Sequence, residues 1–465
     1  MIWEKLSRTG PGFAAHSASV STARSTASSC GTWARLARGP LFLALVCGTA
    51  HGSPDDEFSL HWQATYVEQE TLGFNAPYRG PNSLSPNMGR ETVDTTLFAG
   101  ARLWSGAEVW LNPEIDQGYG LDNTLGVAGF PSGEAYKVGD NQPYFRLSRL
   151  FVRDIVNLDD TTLSTEGGAN QFECACSADR LVFTFGKFSV TDSFDTNQYA
   201  HDPRGDFLNW SLVDAGSFDY AADAWGYTVG AAVEWYQGAW TLRGGVFDLS
   251  DVPNSTRLDP GFHEFQMVAE LERRYESGAR TGRVLLTAFD SRGRMGLLDA
   301  AVSRAQETDT PVTIAVVRSY RGRLGASLDL EQPLTDDLGL FARAGKAQGN
   351  VEAYEFSDID RSVSAGLSLQ GAAWHRPDDT VAVATVINGI SGAREAYLNA
   401  GGLGILVGDG KLPHPGPEKI VETYYKVTFF RHIQVTLDYQ WIENPGYNRD
   451  RGAVPVIAVR THIQL

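Results

Sequence analysis

Glu108-x-Trp110-x-Asn112-x-Glu114 sets two carboxylates, an indole and an amide at every second position. At that spacing all four share one face of a β-strand. Acceptors, an amide and a flat ring on one face can hydrogen-bond and stack, but none of them is an activated nucleophile. Other polar side chains stand at the same spacing among apolar ones: Arg102, Arg243, Glu331, Arg343, Asp438 and Arg460. Arg supplies fixed donors that carboxylates can meet. Each of these residues also fits a plainer role, in a polar wall braced by Arg–carboxylate pairs. Catalytic constellations are thinner. Ser59-x-His61 puts a hydroxyl and an imidazole on one strand face, with His462 in the final strand. A hydrolase needs a nucleophile, a base and an orienting group, and no nucleophile elbow, HExxH or phosphate loop accompanies these residues. Cys174-Ala-Cys176 has no His close by to complete a metal site, which leaves a loop disulfide or two free thiols. Asp358-x-Asp360 and Asp378-Asp379 lack the twelve-residue calcium loop. No metal, cofactor or catalytic residue is expected.

The elements that must carry these residues are strands. Ile433, Val435, Leu437, Tyr439 and Trp441 alternate with Gln434, Thr436, Asp438 and Gln440. The same alternation recurs around Phe58–Tyr66, Val93–Leu103, Ala107–Asn112, Tyr227–Trp235 and Ser362–Gln370. Strands are expected at 58–67, 92–103, 107–113, 145–153, 181–189, 225–236, 239–249, 263–274, 283–291, 322–332, 338–348, 359–371, 380–389, 420–430, 433–443 and 454–465. Short connections (Ser105-Gly106, Gln237-Gly238, Pro333–Asp337, Arg376–Asp379, Arg431-His432) alternate with long ones near 68–91, 113–144, 190–224, 292–318 and 391–418. Short turns at one end and long loops at the other describe a transmembrane up-and-down barrel. An even count of sixteen puts both termini on the periplasmic side. The one irregularity is 154–180, which holds the Cys-Ala-Cys and falls on the short-turn side.

The final strand decides which face meets water. Ile457, Val459, Thr461, Ile463 and Leu465 face one way, and Ala458, Arg460, His462 and Gln464 the other. Buried in a dry sandwich, the second set would cost about 1–3 kcal/mol for each unpaired group. A wet barrel interior removes that cost, and closure leaves no strand edge unpaired in lipid. The apolar face then points at lipid. Tyr439 and Trp441, with Tyr424, Tyr425, Phe429 and Phe430, are expected in aromatic belts at the interfaces.

Bulk properties agree. The chain has 465 residues, 42% of them hydrophobic, and no run reaches the ~18–20 apolar residues of a membrane-spanning helix. Leu41–Ala50 is the longest apolar stretch, preceded by Arg35 and Arg38 and followed by Gly52 and Ser53. That is a signal-peptide pattern. Residues 1–52 are therefore expected to be a targeting segment with the start placed too far upstream, and 53–465 the barrel. The formal net charge is −17. The first 52 residues carry five basic residues (Lys5, Arg8, Arg24, Arg35, Arg38) against Glu4, so the remainder is more acidic still. Such a charge argues against a nucleic-acid partner.

Four long segments resemble the carbohydrate-selective porin family (OprB-type). They are NPEIDQGYGLDNTLGVAGFPSGEAYKVG (Asn112–Gly139), FGKFSVTDSFDTNQYAHDPRGDFLNW (Phe185–Trp210), WHRPDDTVAVATVINGIS (Trp374–Ser391) and the carboxy-terminal VETYYKVTFF…LDYQWIENPGYNRDRGAV…VRTHIQL. Together they span most of 58–465. The resemblance implies a sixteen-stranded barrel in the outer membrane of a Gram-negative bacterium. It also implies passive uptake of monosaccharides and small oligosaccharides, among outer-membrane lipid and lipopolysaccharide, by a monomer or homotrimer. Three positions depart from the family pattern: the Cys-Ala-Cys, Leu465 where Phe is commoner, and His375 where Gly is expected.

Sugars carry many hydroxyls and apolar ring faces, so a selective pore needs paired donors and acceptors and an aromatic surface. On the wet face Arg102, Glu108, Trp110, Asn112, Glu114, Arg243, Arg343, Asp438 and Arg460 are candidates, with Arg243 and Arg343 as facing donors. Phe185–Trp210 is the expected constriction loop, through Lys187, Asp195, Asp202, Arg204, Asn209 and Trp210. The alternatives are a general diffusion porin with mild cation preference, a barrel lipid hydrolase, and a plugged adhesin or scaffold.

Overall fold

The computed structural model describes residues 57–135 and 138–465. The targeting segment expected at 1–52 lies outside the described residues. Sixteen antiparallel strands close into one barrel. They are β1 (Phe58–Thr71), β2 (Met88–Trp104), β3 (Ala107–Gly118), β4 (Asp140–Asn157), β7 (Arg180–Phe188), β8 (Thr228–Gln237), β9 (Trp240–Asp248), β10 (Phe265–Ser277) and β11 (Arg280–Met295). The circuit continues through β12 (Ser319–Pro333), β13 (Leu338–Ala347), β14 (Arg361–Gly371), β15 (Arg376–Gly389), β16 (Glu418–Phe429), β17 (Ile433–Glu443) and β18 (Gly452–Gln464). A separate two-stranded hairpin, β5 (Thr162–Thr165) and β6 (Cys174–Ser177), sits between β4 and β7. Closure comes from β1 against β18, in a register that sets Gln63 opposite Gln464 and Thr71 opposite Val456.

The alternation now has a direction. In β17, Leu437 is 61% exposed, while Asp438 beside it is 5% exposed. Tyr439 and Trp441 share the outer face, and Thr436 and Gln440 are buried inside. A soluble sandwich would show the reverse. Tyr424 corrects the aromatic-belt expectation: it points inward, 5.1 Å from the Phe207 ring. Its strand neighbour Tyr425 faces outward and accepts from the Trp374 indole at 3.2 Å.

Six periplasmic connections are two to four residues long, as at Ser105-Gly106 and 372–375. His375, at the end of the second of these, has φ +62°. That left-handed conformation is where glycine costs least, which accounts for the Gly expected at this position. The connection 158–179 is the exception, and it holds the β5–β6 hairpin. Its two cysteines, Cys174 and Cys176, are joined as a disulfide.

The interior is not an empty tube. Two extracellular loops, 119–139 and 189–227, turn down into it. Residues 207–224 are buried throughout, and a short helix, α1 (Trp210–Val213), forms there with Asn209 accepting from the Ser211 N–H as its cap. Phe130 of the first loop stacks on Trp210 of the second at 5.4 Å. Phe188, Phe194, Phe218 and Tyr220 continue this apolar contact to Phe247 and Phe289 on the wall.

Candidate channel and constriction

The infolded loops are held by the wall of β10–β18. Arg343 donates to Asp329 at 2.8 Å and to the Leu212 carbonyl at 2.7 Å, and lies 3.6 Å from Asp195. Glu422 accepts from the N–H groups of Leu208 and Asn209. Glu418 accepts from those of Ala128 and Gly129. Gln440 reaches the Pro131 carbonyl and accepts from Asn209, and also donates to Asp438 at 3.2 Å. Arg460 donates to the carbonyls of Pro203 and Asp206. Arg323 and Asp219, both without exposed side-chain surface, pair at 2.8 Å. A loop's backbone groups cannot be left unpaired in a closed interior. Here the inward polar side chains satisfy them.

The opposite wall, β2–β4 and β7, is only partly covered by these two loops. A cavity of about 210 Å³ lies between the loops and β4. It is lined by Glu134, Arg149, Asp192, His201, Asp202, Arg204, Trp210, Asp214, Tyr220, Trp225 and Tyr227, among others. Arg149 bonds both carboxylate oxygens of Asp192, at 2.7 and 2.6 Å, and its guanidinium lies 4.9 Å from the Tyr227 ring centre. Arg146 pairs with Glu114 and Asp116 and lies 5.0 Å from the same ring. Three polar atoms around this cavity have no hydrogen-bond partner among the described residues: Glu134 Oε2, His201 Nδ1 and Asp214 Oδ1.

Strict alternation would not put both Arg146 and Arg149 inside, since they are an odd number of residues apart. A β-bulge does so. Asn112 pairs with Arg149 while Pro113 pairs with Leu147, which leaves Ser148 as an extra residue in β4. Pro113 cannot donate to the ladder, so the register breaks there. Ser148 turns its hydroxyl back to the Asn112 carbonyl at 3.0 Å.

Charges in the loops respond to this enclosure. Burial pushes Asp192 up, but the Arg149 guanidinium outweighs it and holds the group below the usual carboxylate range. Burial raises Asp214 to about 7 against the pull of Arg343. Burial, helped by Arg343, lowers His201 to about 4. His201 is thus neutral at pH 7, and its 3.7 Å approach to Asp214 is not an ion pair there.

A family model described as the carbohydrate-selective porin, OprB family, matches residues 82–465. The chain belongs to that family. This porin is 22% identical over 293 residues to Porin AaxA of Chlamydia abortus, which covers 61% of the chain and 53% of the relative. The match therefore spans about half the length of that curated relative. Among solved structures, Pseudomonas putida OprB superposes on the porin with a TM-score of 0.66 at 16% identity, covering 88% of this chain and 94% of that one. Porins of this family are channels rather than enzymes, and they reside in the outer membrane of Gram-negative bacteria.

The wall residues expected from the sequence all turn inward. Glu108, Trp110, Asn112, Glu114, Arg243, Arg343, Asp438 and Arg460 are buried, and Arg102 is half-buried. They do different things. Arg343 and Arg460 serve the loops, and Asp438 stays within the wall, accepting from Gln440. Arg243 is surrounded by Glu234, Glu270 and Glu272 at 2.7–2.9 Å. Arg102, Glu108, Trp110 and Asn112 meet the 158–179 segment. Of the expected loop residues, Asp202, Arg204 and Trp210 line the cavity, whereas Asp195 binds the wall at Glu270 and Asn209 binds it at Gln440 and Glu422. Lys187 is corrected: it stands on β7, outside the loop, and its ammonium reaches Asp223 at 3.2 Å. Arg146 and Arg149 were not expected from alternation, and Pro113 within a strand is the signal that points to the bulge; Trp225 and Tyr227, expected in a strand over 225–236, precede β8 and line the cavity instead. Ser59 and His61 do touch, at 3.1 Å, but no carboxylate bonds His61 among the described residues, and His462 bonds Thr65 instead.

Proposed function

We propose that this porin passes monosaccharides and small oligosaccharides by passive diffusion, and that the cavity beside β4 is where they are selected. The observation that carries this reading is the chemistry of that one cavity. Trp225 offers a partly exposed ring face beside the buried rings of Trp210, Tyr220 and Tyr227, Arg149 and Arg204 offer donors, and Asp192, Asp202 and Asp214 offer acceptors. A sugar presents the complements of all three. Both charge signs are present and largely paired, which suits a neutral solute better than an ion. The family's carbohydrate selectivity supports the same reading. We assign residues 1–52 to targeting and 53–465 to the barrel on the sequence pattern.

The test is liposome swelling with the purified protein, comparing glucose, a disaccharide, an amino acid of similar size and a salt. Faster swelling with glucose than with the amino acid supports a sugar-selective pore. Equal rates at equal size would reduce it to a general diffusion porin, and a salt preference for cations would agree with its net charge of −17.

A further inference from the structure

The 22-residue periplasmic connection 158–179 stands where the other turns have two to four residues. Its hairpin pairs Thr162 with Ser177 and Thr165 with Cys174, and Asn157 of β4 accepts from the Ser177 N–H. The tip beyond the hairpin closes through the pair Gly168–Gln171 and turns up into the barrel. There it is gripped by inward side chains of β2, β3 and β4. Phe172 lies against Trp110 with ring centres 5.2 Å apart, and the Arg102 guanidinium covers it at 4.6 Å. Glu108 accepts from the Phe172 N–H at 3.2 Å, and Asn112 donates to the Asn170 side chain at 2.8 Å. Arg153 donates to the Asn170 carbonyl at 2.7 Å, and Arg102 to that of Glu173 at 2.6 Å. Trp110 and Phe172 are buried, so the tip is docked against the wall.

The docked tip stands between two spaces. Below it is a vestibule of about 880 Å³; above it is a cavity of about 270 Å³. Arg153 and Gln171 on one side, and Asp192 and Ser193 on the other, line both. Asp192 and His201 connect the upper space to the cavity beside β4. Any solute leaving that cavity by this route passes between the tip and the start of the 189–227 loop.

We propose that Gly167–Glu173 forms a second, periplasmic constriction, in which Gln171 and Arg153 face Ser193 and Asp192 and set the size limit for neutral sugars. This rests on the sugar-diffusion reading above. The constriction is built on one side from the periplasmic connection and on the other from an extracellular loop, so it limits size separately from the cavity beside β4.

The test compares wild-type protein, Phe172→Ala, Gln171→Ala and a variant in which residues 167–172 are replaced by two glycines. Single-channel conductance and liposome swelling with mono-, di- and trisaccharides are measured on each, after heat-modifiable migration has shown a folded barrel. The glycine variant is expected to conduct roughly twofold more than wild type and to admit the trisaccharide. Phe172→Ala should move the same way by less. If these two fail to fold, Gln171→Ala, at the docked tip's open side, still reads the proposal through faster disaccharide swelling. Unchanged conductance and size limit in folded variants would overturn the proposal and leave the tip as a strut. If wild type swells no faster with glucose than with the amino acid, the sugar reading fails, while a conductance rise in the glycine variant would still establish the constriction.

Discussion

Two walls of one barrel follow the same alternation and do opposite work. On β12 and β13 the inward Arg323 and Arg343 are closed off: Arg343 has 1% of its side chain exposed, Arg323 none. They end on a loop's backbone or on carboxylates that the loop supplies. On β4 two inward Arg side chains stay open: Arg149 keeps 16% and Arg153 21%. Each pairs with a carboxylate and still presents an edge to a cavity. Polarity at alternate positions therefore says which residues leave the lipid. It does not say which of them meet a solute. That is decided by where two loops come to rest.

The contrast can be broken at its strongest point. Arg343→Ala removes the cation between Asp195 and Asp329 and frees the Leu212 carbonyl. Leaving buried carboxylates unpaired costs about 3–5 kcal/mol. The expected result is a lower midpoint for loss of heat-modifiable migration, together with noisier and larger single-channel currents as the loop loosens. A normal midpoint with quiet currents would mean that the loop does not depend on this wall.

Arg149→Ala probes the other wall. Losing one hydrogen bond to a solute is worth about 1 kcal/mol, or roughly fivefold in preference. The glucose-to-amino-acid swelling ratio should fall by that order while the unfolding midpoint moves little. A large drop in midpoint with an unchanged ratio would make the two walls alike.

A smaller effect comes from pH. Asp214 lines the cavity and is raised to about 7, so it is mostly charged at pH 8 and mostly neutral at pH 6. His201, lowered to about 4, stays neutral across that range and adds no opposing charge. Cation preference, read from reversal potentials, should decline as pH falls from 8 to 6. Asp214→Asn should flatten that dependence. The smallest effect is expected from Ser59→Ala on β1, away from both walls' work: swelling rates should not change, and no lipid hydrolysis should be lost.

The barrel was legible because lipid enforces period two on every strand, and all sixteen expected strands are present. Their ends were less so. β4 runs Asp140–Asn157 where 145–153 was expected, because strands continue past the apolar band into polar rim residues that carry no hydrophobic signal. Inward polarity was legible for Arg343 and Glu114 alike. That Arg343 would be consumed by a loop was not, since its partner Leu212 is 131 residues away. Arg146 and Arg149 escaped for a local reason: one extra residue, Ser148, shifts the phase of β4.

The measurement closest to the central claim is a crystal structure of the porin soaked with glucose at high concentration. The two-wall account predicts sugar density beside β4, with a ring face on Trp225 or Tyr227 and hydroxyls within hydrogen-bond distance of Arg149 or Arg204. Density lodged instead between the infolded loop and β13, displacing the contacts of Arg343, would contradict it.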